Sequence, residues 1–440
     1  MMDQNLLRRY SAAEIALLVI FAAGLAVSLA LVRARTKITL SEPVALAPAG
    51  LGAPLPAGEA WETAGGWRYE SDNAYVLLGV MRVRGRPMMH VRWRYALCDQ
   101  PQDTTEQMQA HASRAGGRWL PLGTTDGPVP MPFGRILAPT ESRQNFLVGV
   151  VELDLGRRLE LLISYHGNSW FAEDVFRTLA AGLVYDAPEP LERGKAFVQR
   201  FMQQREGRFA GLSAFQGSRF LIKDPTDRPL GFAEEGFFVA DENNSEQASY
   251  RLTSRRLTPA GAYKESDLRL SRTDETFEWT TRSWAGRSRQ PREVRLQADA
   301  DGQIRLETNT GQTRTLWRSG MLLPEPLLPA FGAMLLEDGA EAMIIDVLAA
   351  SGYVVPTQLA AIDLAQSHIR SPEDYRVIRA SYLHRNGAFD ELIFDPDGRY
   401  IGRFEQEPGQ RGRLWKAAEK EQLQELFGPR YEQSSRRQLD

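Results

Sequence analysis

The sequence predicts an α+β protein with an N-terminal transmembrane helix followed by two soluble α+β domains, the second a large curved antiparallel sheet packed with helices. A long uncharged apolar segment lies near the N-terminus, many later segments alternate apolar and polar residues as strands do, and a few carry an apolar stripe with helical spacing. A body of about 400 residues also exceeds one ordinary hydrophobic core, which favours two domains.

The apolar segment runs from Ser11 to Val32, after a tail at residues 1–10 that contains Arg8 and Arg9. From Ile15 to Val32 it has no charged residue. At about 1.5 Å per residue, such a helix is nearly as long as the bilayer core is thick. We therefore expect a retained single-pass anchor. The alternative is a cleaved signal peptide, which has a shorter apolar core and a small-x-small cleavage site.

Small residues recur at every fourth position of this segment, at Ala22, Ala26 and Ala30. Small side chains at that spacing let a second helix approach closely, so these alanines form a candidate helix-pairing face. The alternative is that alanine is simply common in membrane helices.

Composition and motifs narrow the classes of function. The net charge of −3 and the pI near 6.1 do not provide the basic face of a nucleic-acid-binding protein. Cys98 is the only cysteine, which excludes an internal disulfide and a cysteine cluster for metal. The sequence also lacks a P-loop, a G-x-S-x-G elbow and an H-E-x-x-H pair. We therefore expect a non-enzymatic protein without cofactor, metal or nucleic acid.

A stalk and a first soluble domain follow the anchor. Residues 33–60 are rich in proline, alanine and glycine and lack hydrophobic periodicity, which predicts an extended stalk. The first domain, at residues 61–186, contains two predicted β-hairpins, at 81–96 and 146–165. Residues 171–183 have apolar positions at helical spacing and predict a helix packed on these strands.

The order of strands, hairpin and closing helix in this domain resembles that of PsbP-like domains. The resemblance implies an extracytoplasmic module that serves as an assembly or accessory subunit. Ser164, His166 and Asp174 lie near one another in the same part of the sequence and have the residue types of a hydrolase triad. No motif places them together in space, so a hydrolase is the least favoured alternative.

The prolines at residues 188 and 190 predict a domain boundary, and a second domain follows at residues 191–428. It opens with a predicted helix at 191–204, continues with many short alternating segments that predict a large antiparallel sheet, and has an insert near 324–336. A last helix is predicted at 414–427, and residues 429–440 are predicted to be a disordered tail.

Residues 392–401 of this domain read Leu-Ile-Phe-Asp-Pro-Asp-Gly-Arg-Tyr-Ile. This hairpin, in a long meander that opens with a helix, resembles the LolA/LolB superfamily. The resemblance implies a curved sheet that holds an acyl chain or another apolar ligand, and a location outside the inner membrane. The candidate wall residues for such a ligand are Phe232, Phe237, Phe238, Trp279, Trp317, Leu327, Leu328 and Phe331. The alternative for this set is ordinary core packing.

Two Asp-x-Asp-Gly segments, beginning at Asp299 and Asp395, are similar to the start of an EF-hand calcium loop. Such a loop needs a bidentate glutamate at its twelfth position, where this sequence has Thr310 and Gln406. Asp-Gly between alternating segments is instead typical of a hairpin turn, so we predict turns at both places.

Three functions from different classes follow. The first is a membrane-anchored, extracytoplasmic, non-enzymatic accessory or assembly subunit of a membrane or envelope complex. The second is a membrane-tethered protein that binds a lipid or another apolar ligand in its C-terminal domain, and the third is an unrecognised hydrolase. The expected partners are the inner or plasma membrane, through Ser11 to Val32, together with a membrane protein and a lipid. Basic residues flank both ends of the anchor, so the extracytoplasmic orientation rests mostly on the two resemblances.

Overall fold

The computed structural model describes residues 12–35, 38–83, 86–99, 104–114, 116–137, 144–154, 156–167, 169–203, 218–240, 249–258, 261–271, 274–285, 290–369 and 374–436. The helices in these ranges are α1 (Ala12–Arg35), α2 (Thr104–Arg114), α3 (Ser169–Ala181), α4 (Glu189–Gln203), α5 (Leu328–Glu337), α6 (Lys420–Phe427) and α7 (Pro429–Arg436). Short 3₁₀ turns lie at Ala47–Ala49, Glu325–Leu327 and Leu364–Gln366.

The strands of the N-terminal half are β1 (Thr39–Leu40), β2 (Val44–Leu46), β3 (Leu51–Ala53), β4 (Pro56–Ala57), β5 (Trp61–Thr63), β6 (Arg68–Glu70), β7 (Ala74–Val83), β8 (Arg86–Leu97), β9 (Arg118–Thr124), β10 (Pro132–Leu137), β11 (Asn145–Asp154), β12 (Arg157–Tyr165) and β13 (Val184–Tyr185). Those of the C-terminal half are β14 (Ser218–Lys223), β15 (Pro229–Ala240), β16 (Ser249–Leu257), β17 (Tyr263–Ser271), β18 (Phe277–Trp284), β19 (Arg292–Ala298), β20 (Gln303–Thr308), β21 (Thr313–Trp317), β22 (Leu322–Pro324), β23 (Met343–Leu348), β24 (Val354–Ile362), β25 (Arg376–Tyr382), β26 (Phe389–Phe394), β27 (Tyr400–Gln406) and β28 (Arg413–Ala417).

Helix α1 covers most of the predicted anchor and exposes its apolar side chains, with Leu17 and Phe21 each 72 % exposed. No helix in the described ranges combines the length and the apolar character needed to cross a membrane, so the predicted transmembrane helix is not supported. The tail at residues 1–10 lies outside the described residues, as do the side chains of Ala26 and Ala30 in the candidate helix-pairing face; Ala22 is exposed.

The stretch predicted to be a stalk is instead packed against the first domain. Strands β2 and β3 pair with each other, and β3 also pairs with β13. Leu51 and Leu55 are 2 % and 1 % exposed, and the Trp93 indole Nε1 donates a hydrogen bond to the Pro54 carbonyl oxygen over 2.9 Å. The short apolar segments bury their side chains against strands that lie far along the chain, which local composition does not reveal.

The first domain is a layered α+β structure built on an eight-stranded sheet, in which all pairings are antiparallel. The strand order is β5-β7-β8-β12-β11-β10-β9, with β6 also paired to β7. Helix α3 packs on one face through Val175 and Phe176, whereas α2 covers part of the other through Met108 and Ala112. The predicted hairpins and the helix of this domain are therefore present.

The second domain is organised by a fifteen-stranded sheet in the order β21-β20-β19-β18-β17-β16-β15-β14-β28-β27-β26-β25-β24-β23-β22. Its neighbours pair antiparallel except for β22 and β23, which are parallel. The predicted large antiparallel sheet is thus confirmed. Helix α5 lies in the core, where the ring of Phe331 contacts those of Phe197 and Phe201 on α4 at centroid distances of 5.0 and 5.3 Å.

Two predicted details of this domain differ in the structure. The segment at 414–427 begins as strand β28, which pairs with β14 and β27, and becomes helical only at α6. The predicted disordered tail contains α7, where Tyr431 is 1 % exposed because its ring packs against Phe232. The turn predicted at Asp395 is present between β26 and β27, and its carboxylate accepts a hydrogen bond from the Arg399 backbone N–H.

A buried polar network joins the two domains. Arg157 on β12 lies 2.8 Å from the Asp346 carboxylate on β23, and these residues are 2 % and 0 % exposed. Nearby, the Asn73 Nδ2 group donates to the Gly352 carbonyl oxygen over 3.1 Å, and the Trp317 backbone N–H donates to the Cys98 carbonyl oxygen over 2.8 Å. The first domain therefore contacts the turns and strand edges of the second through a buried ion pair and hydrogen bonds.

Candidate functional site

A cavity of ≈ 370 Å³ lies inside the large sheet of the second domain. One wall is the inner face of β15 to β19. The opposite wall is formed by the turn that leads into α5, with Glu325 and Pro326, and by the start of α5, with Ala330. A third wall comes from β27 and β28. Cavities of this size typically hold small-molecule ligands.

The inner face of β16 to β19 carries an apolar layer, formed by Leu252, Leu268, Trp279 and Leu296. These residues lie directly opposite one another in register across the four strands. All but Leu252 are at most 2 % exposed. Leu252 and Trp279 line the cavity, so its deep part is apolar.

A hydroxyl layer lies two residues away from the apolar layer on β16 to β18, because side chains two residues apart on a strand point to the same face. It consists of Ser254, Ser266 and Thr281, which are again opposite one another. The Trp279 indole Nε1 donates a hydrogen bond to the Ser266 Oγ atom over 2.6 Å. The Thr281 Oγ1 atom is buried and has no hydrogen-bond partner among the described residues.

Two residues further on, the same face ends in a cationic rim, defined by Arg256, Lys264 and Arg292. Arg256 is opposite Lys264, and Ser283 is opposite both Lys264 and Arg292. Arg256 forms an ion pair of 2.8 Å with Glu405. Lys264 and Arg292 are exposed and form no ion pair with any residue in the described ranges. The sheet face therefore changes from apolar to hydroxyl to cationic along the strands.

The wall formed by β27 and β28 is charged and centred on Arg403. Its guanidinium lies 3.1 Å from Glu235 and 3.8 Å from Asp390, and its Nε donates to the Tyr400 hydroxyl over 2.9 Å. The Tyr382 hydroxyl donates to Asp390 over 2.8 Å. The arrangement holds carboxylates inside the protein by ion pairs and hydrogen bonds.

Burial changes the acid–base properties of this wall. Burial, together with the nearby Glu405 carboxylate, raises the pKa of Asp390 to about 7. Burial also raises the pKa of Glu235, against the opposing effect of Arg403. For Glu405, burial acts in the same upward direction, but Arg256 and Arg403 outweigh it and lower the pKa. The cluster therefore contains both ionised and readily protonated carboxyl groups.

The Trp415 ring lies between the charged wall and the cationic rim. The guanidinium carbons of Arg256 and Arg403 are 4.5 and 4.3 Å from its ring centroid. Cation–π contacts of this kind help to fix the two arginines in place. Trp415 itself is 3 % exposed, and its indole Nε1 has no hydrogen-bond partner among the described residues.

Of the eight candidate wall residues, Phe237 and Trp279 line the cavity. Phe232 lies on the opposite face of β15, where it packs against Phe427 and Tyr431. An odd separation along a strand places two side chains on opposite faces, so Phe232 and Phe237 cannot share one wall.

Four other candidate wall residues, whose side chains the structure describes, are not part of the cavity lining. Leu327, Leu328 and Phe331 are buried at 0 to 3 % exposure in the core around α5. Trp317 is on the edge strand β21, and the Phe238 side chain lies outside the described side chains.

The polar cavity residues were not predicted from the sequence, because alternation with polar residues is typical of a solvated sheet face. The signal that could have found them is the order of side chains at every second position of one strand, from apolar to hydroxyl to cationic. Leu252, Ser254 and Arg256 show it on β16, and Trp279 and Thr281 show it on β18.

The residues of the hydrolase alternative are not brought to this cavity. Ser164 on β12 faces the side of the first sheet that α2 covers, since Leu162 on that face packs in the α2 cluster. Asp174 is on α3, which packs on the other side of the same sheet. Within the described residues, no group of three or more His, Cys, Asp or Glu side chains is placed to hold a metal ion.

No family model matches the chain, and no curated protein matches it. Among solved structures, it is similar to a β-barrel-like protein of the domain of unknown function DUF1849 from Brucella abortus. That match has 12 % sequence identity and a TM-score of 0.33, and it covers 46 % of this chain and 95 % of the other. A DUF1089 family protein from Pseudomonas aeruginosa matches with 16 % identity and a TM-score of 0.24, over 40 % of this chain and 89 % of the other. The resemblances to LolA/LolB and PsbP-like domains stay predictions.

Proposed function

We propose that the second domain is a non-enzymatic binding site for a single-chain amphiphile, with the acyl chain over the apolar layer and an anionic headgroup at the cationic rim. The observation that supports this proposal is the graded face of β16 to β19. Leu252 and Trp279 lie deepest, hydroxyl groups come next, and Lys264 and Arg292 lie at the exposed end. An amphiphile has the same order of chemistry along its length.

The chain and the headgroup contribute in different ways. Each methylene that enters an apolar cavity contributes about 0.8 kcal/mol. The exposed cations contribute less binding free energy than the buried chain, because water and salt screen their charge. They orient the ligand and speed its association.

The test is a calorimetric titration of the full-length protein with 1-decanoyl lysophosphatidylglycerol, kept below its critical micelle concentration. Removing one methylene from the chain should weaken binding about fourfold. Arg292→Glu should weaken it about tenfold by reversing a charge at the rim. The matched control is Arg305→Glu, since Arg305 is an exposed arginine on the outer face of β20.

The proposal fails if the lipid does not bind, or if binding does not depend on chain length. It also fails if Arg292→Glu and Arg305→Glu have the same effect, because the anionic group would then not lie at the cationic rim.

An accessory subunit at the inner or plasma membrane, with an extracytoplasmic body, is the second candidate. It is favoured by α1, where Leu17, Ile20 and Phe21 are 71 to 72 % exposed. Leu18 and Val19, on other sides of the helix, are 57 and 61 % exposed. Neighbouring apolar side chains exposed on several sides of one helix favour apolar surroundings, supplied by lipid or by a membrane protein. Ile20→Glu together with Phe21→Glu should release the protein from the membrane fraction of cells. Unchanged fractionation would remove the support that α1 provides.

A further inference from the structure

Glu325 is a carboxylate of the cavity that lacks a counter-charge. It lies in the 3₁₀ turn Glu325–Leu327, flanked by Pro324 and Pro326, and faces the cavity across from the graded sheet face. The residue is only partly exposed, and its carboxylate forms no hydrogen bond or ion pair with any residue in the described ranges. A carboxylate held in this way by a rigid turn is available to a ligand.

A second carboxylate of the same cavity, Glu235, is incompletely neutralised. Its partner Arg403 is shared with Asp390, and the neighbouring guanidinium group of Arg256 is engaged by Glu405. Glu325 itself contributes to raising the pKa of both Glu235 and Asp390. The helix-side part of the cavity therefore has more carboxyl groups than guanidinium groups.

The sheet side of the cavity has the opposite character. Lys264 and Arg292 lie at the cationic rim without an ion pair among the described residues. One cavity thus presents unpaired cations on one wall and an unpaired carboxylate on the other. A headgroup with only negative charge would use the first wall and leave the second unsatisfied.

We infer that the amphiphile bound in this cavity has a zwitterionic headgroup, with a phosphate at Lys264 and Arg292 and a primary ammonium at Glu325. Glu235 is the second acceptor for the ammonium group. This inference rests on the proposed function and narrows its ligand to the phosphoethanolamine class.

The experiment compares 1-decanoyl lysophosphatidylethanolamine with 1-decanoyl lysophosphatidylglycerol, which have the same chain and phosphate but differ in the ammonium group. The full-length protein should bind the ethanolamine lipid about tenfold more tightly, as expected for one partly buried charge pair. Glu325→Gln should reduce that preference to about twofold or less and leave the affinity for the glycerol lipid unchanged or slightly higher. The matched control Glu307→Gln, an exposed carboxylate on the outer face of β20, should keep the full preference.

Each outcome has a separate meaning. Equal binding of the two lipids overturns the zwitterion inference and leaves the proposed function standing. A preference for the ethanolamine lipid that survives Glu325→Gln overturns the role of Glu325. Failure of both lipids to bind overturns the proposed function itself.

Discussion

Replacing Asp346 with asparagine should destabilise the protein by about 3 kcal/mol, because it leaves the Arg157 guanidinium buried without a counter-charge. The two side chains are 0 % and 3 % exposed, and their closest atoms are 2.8 Å apart. The Ser319 hydroxyl donates to the same Asp346 oxygen over 3.2 Å. This pair joins β12 to β23, so its loss acts on the contact between the two domains.

The magnitude follows from what remains around Arg157 after the substitution. Breaking a buried ion pair costs about 3–5 kcal/mol. The Tyr95 hydroxyl still accepts a hydrogen bond from Arg157 over 2.7 Å, so we expect the lower end of that range. Removing both charges, as Arg157→Met with Asp346→Leu, should recover at least half of the loss, because no uncompensated charge then stays buried.

The assay is urea unfolding of the full-length chain, followed by tryptophan fluorescence, with stability taken from the midpoint at constant slope. The control is Glu62→Gln. It breaks an exposed pair with Arg82 whose side chains are 65 % and 42 % exposed, and it should cost at most about 0.5 kcal/mol. A loss of stability for Asp346→Asn no larger than that of this control would refute the role of the buried ion pair, as would a double variant as unstable as the sum of its single variants.

Three further predictions concern single residues. Because burial raises the pKa of Asp390 to about 7 from an ordinary 3.8, deprotonation of this carboxyl opposes folding increasingly as pH rises from about 4 to 7. Asp390→Asn should therefore gain stability relative to the wild type over that window in urea melts, and a constant difference would contradict the shift. Gly194→Ala should destabilise the protein by about 1–3 kcal/mol, because its Cβ would lie 1.9 Å from the Ile344 carbonyl oxygen, which outweighs the gain in helix propensity. The control Gly66→Ala has no atom within 4 Å of the new Cβ, and equal melting curves for the two variants would show that α4 can move off β23. Cys98 is 2 % exposed and burial raises its pKa to about 12, so it should react with a thiol reagent only after denaturation; rapid labelling of the native protein would contradict this burial.

Local patterns determined the helices and strands that have a strong period. Helix α3 was predicted at 171–183 and is observed at Ser169–Ala181, because its apolar stripe needs only one face to pack on. The alternating segments of the second domain became strands for the same reason. What alternation cannot reveal is which face is enclosed, so the polar inner face of β16 to β18 was interpreted as solvated.

Segments whose partners lie far along the chain were the ones that the sequence did not reveal. Residues 38–57 have no period, yet β3 is a strand because Val184 and Tyr185 pair with it. Tyr431 is ordered because its ring lies 5.2 Å from Phe232, a contact that residues around position 431 do not predict. In both cases the stabilising surface belongs to another part of the fold.

The sequence by itself determined the α+β class, the antiparallel meander and the positions of the main helices, because propensity and period act over a few residues. The tertiary structure alone decided the candidate site. Strand register aligned an apolar row on β16 to β19, a hydroxyl row on β16 to β18 and cations at the end of the same face, and β27, β28 and the start of α5 enclosed that face. The turn at Glu325 brought a carboxylate to the opposite wall. Register and closure depend on pairings across the whole domain, so their consequences for charge and burial cannot be deduced from neighbouring residues.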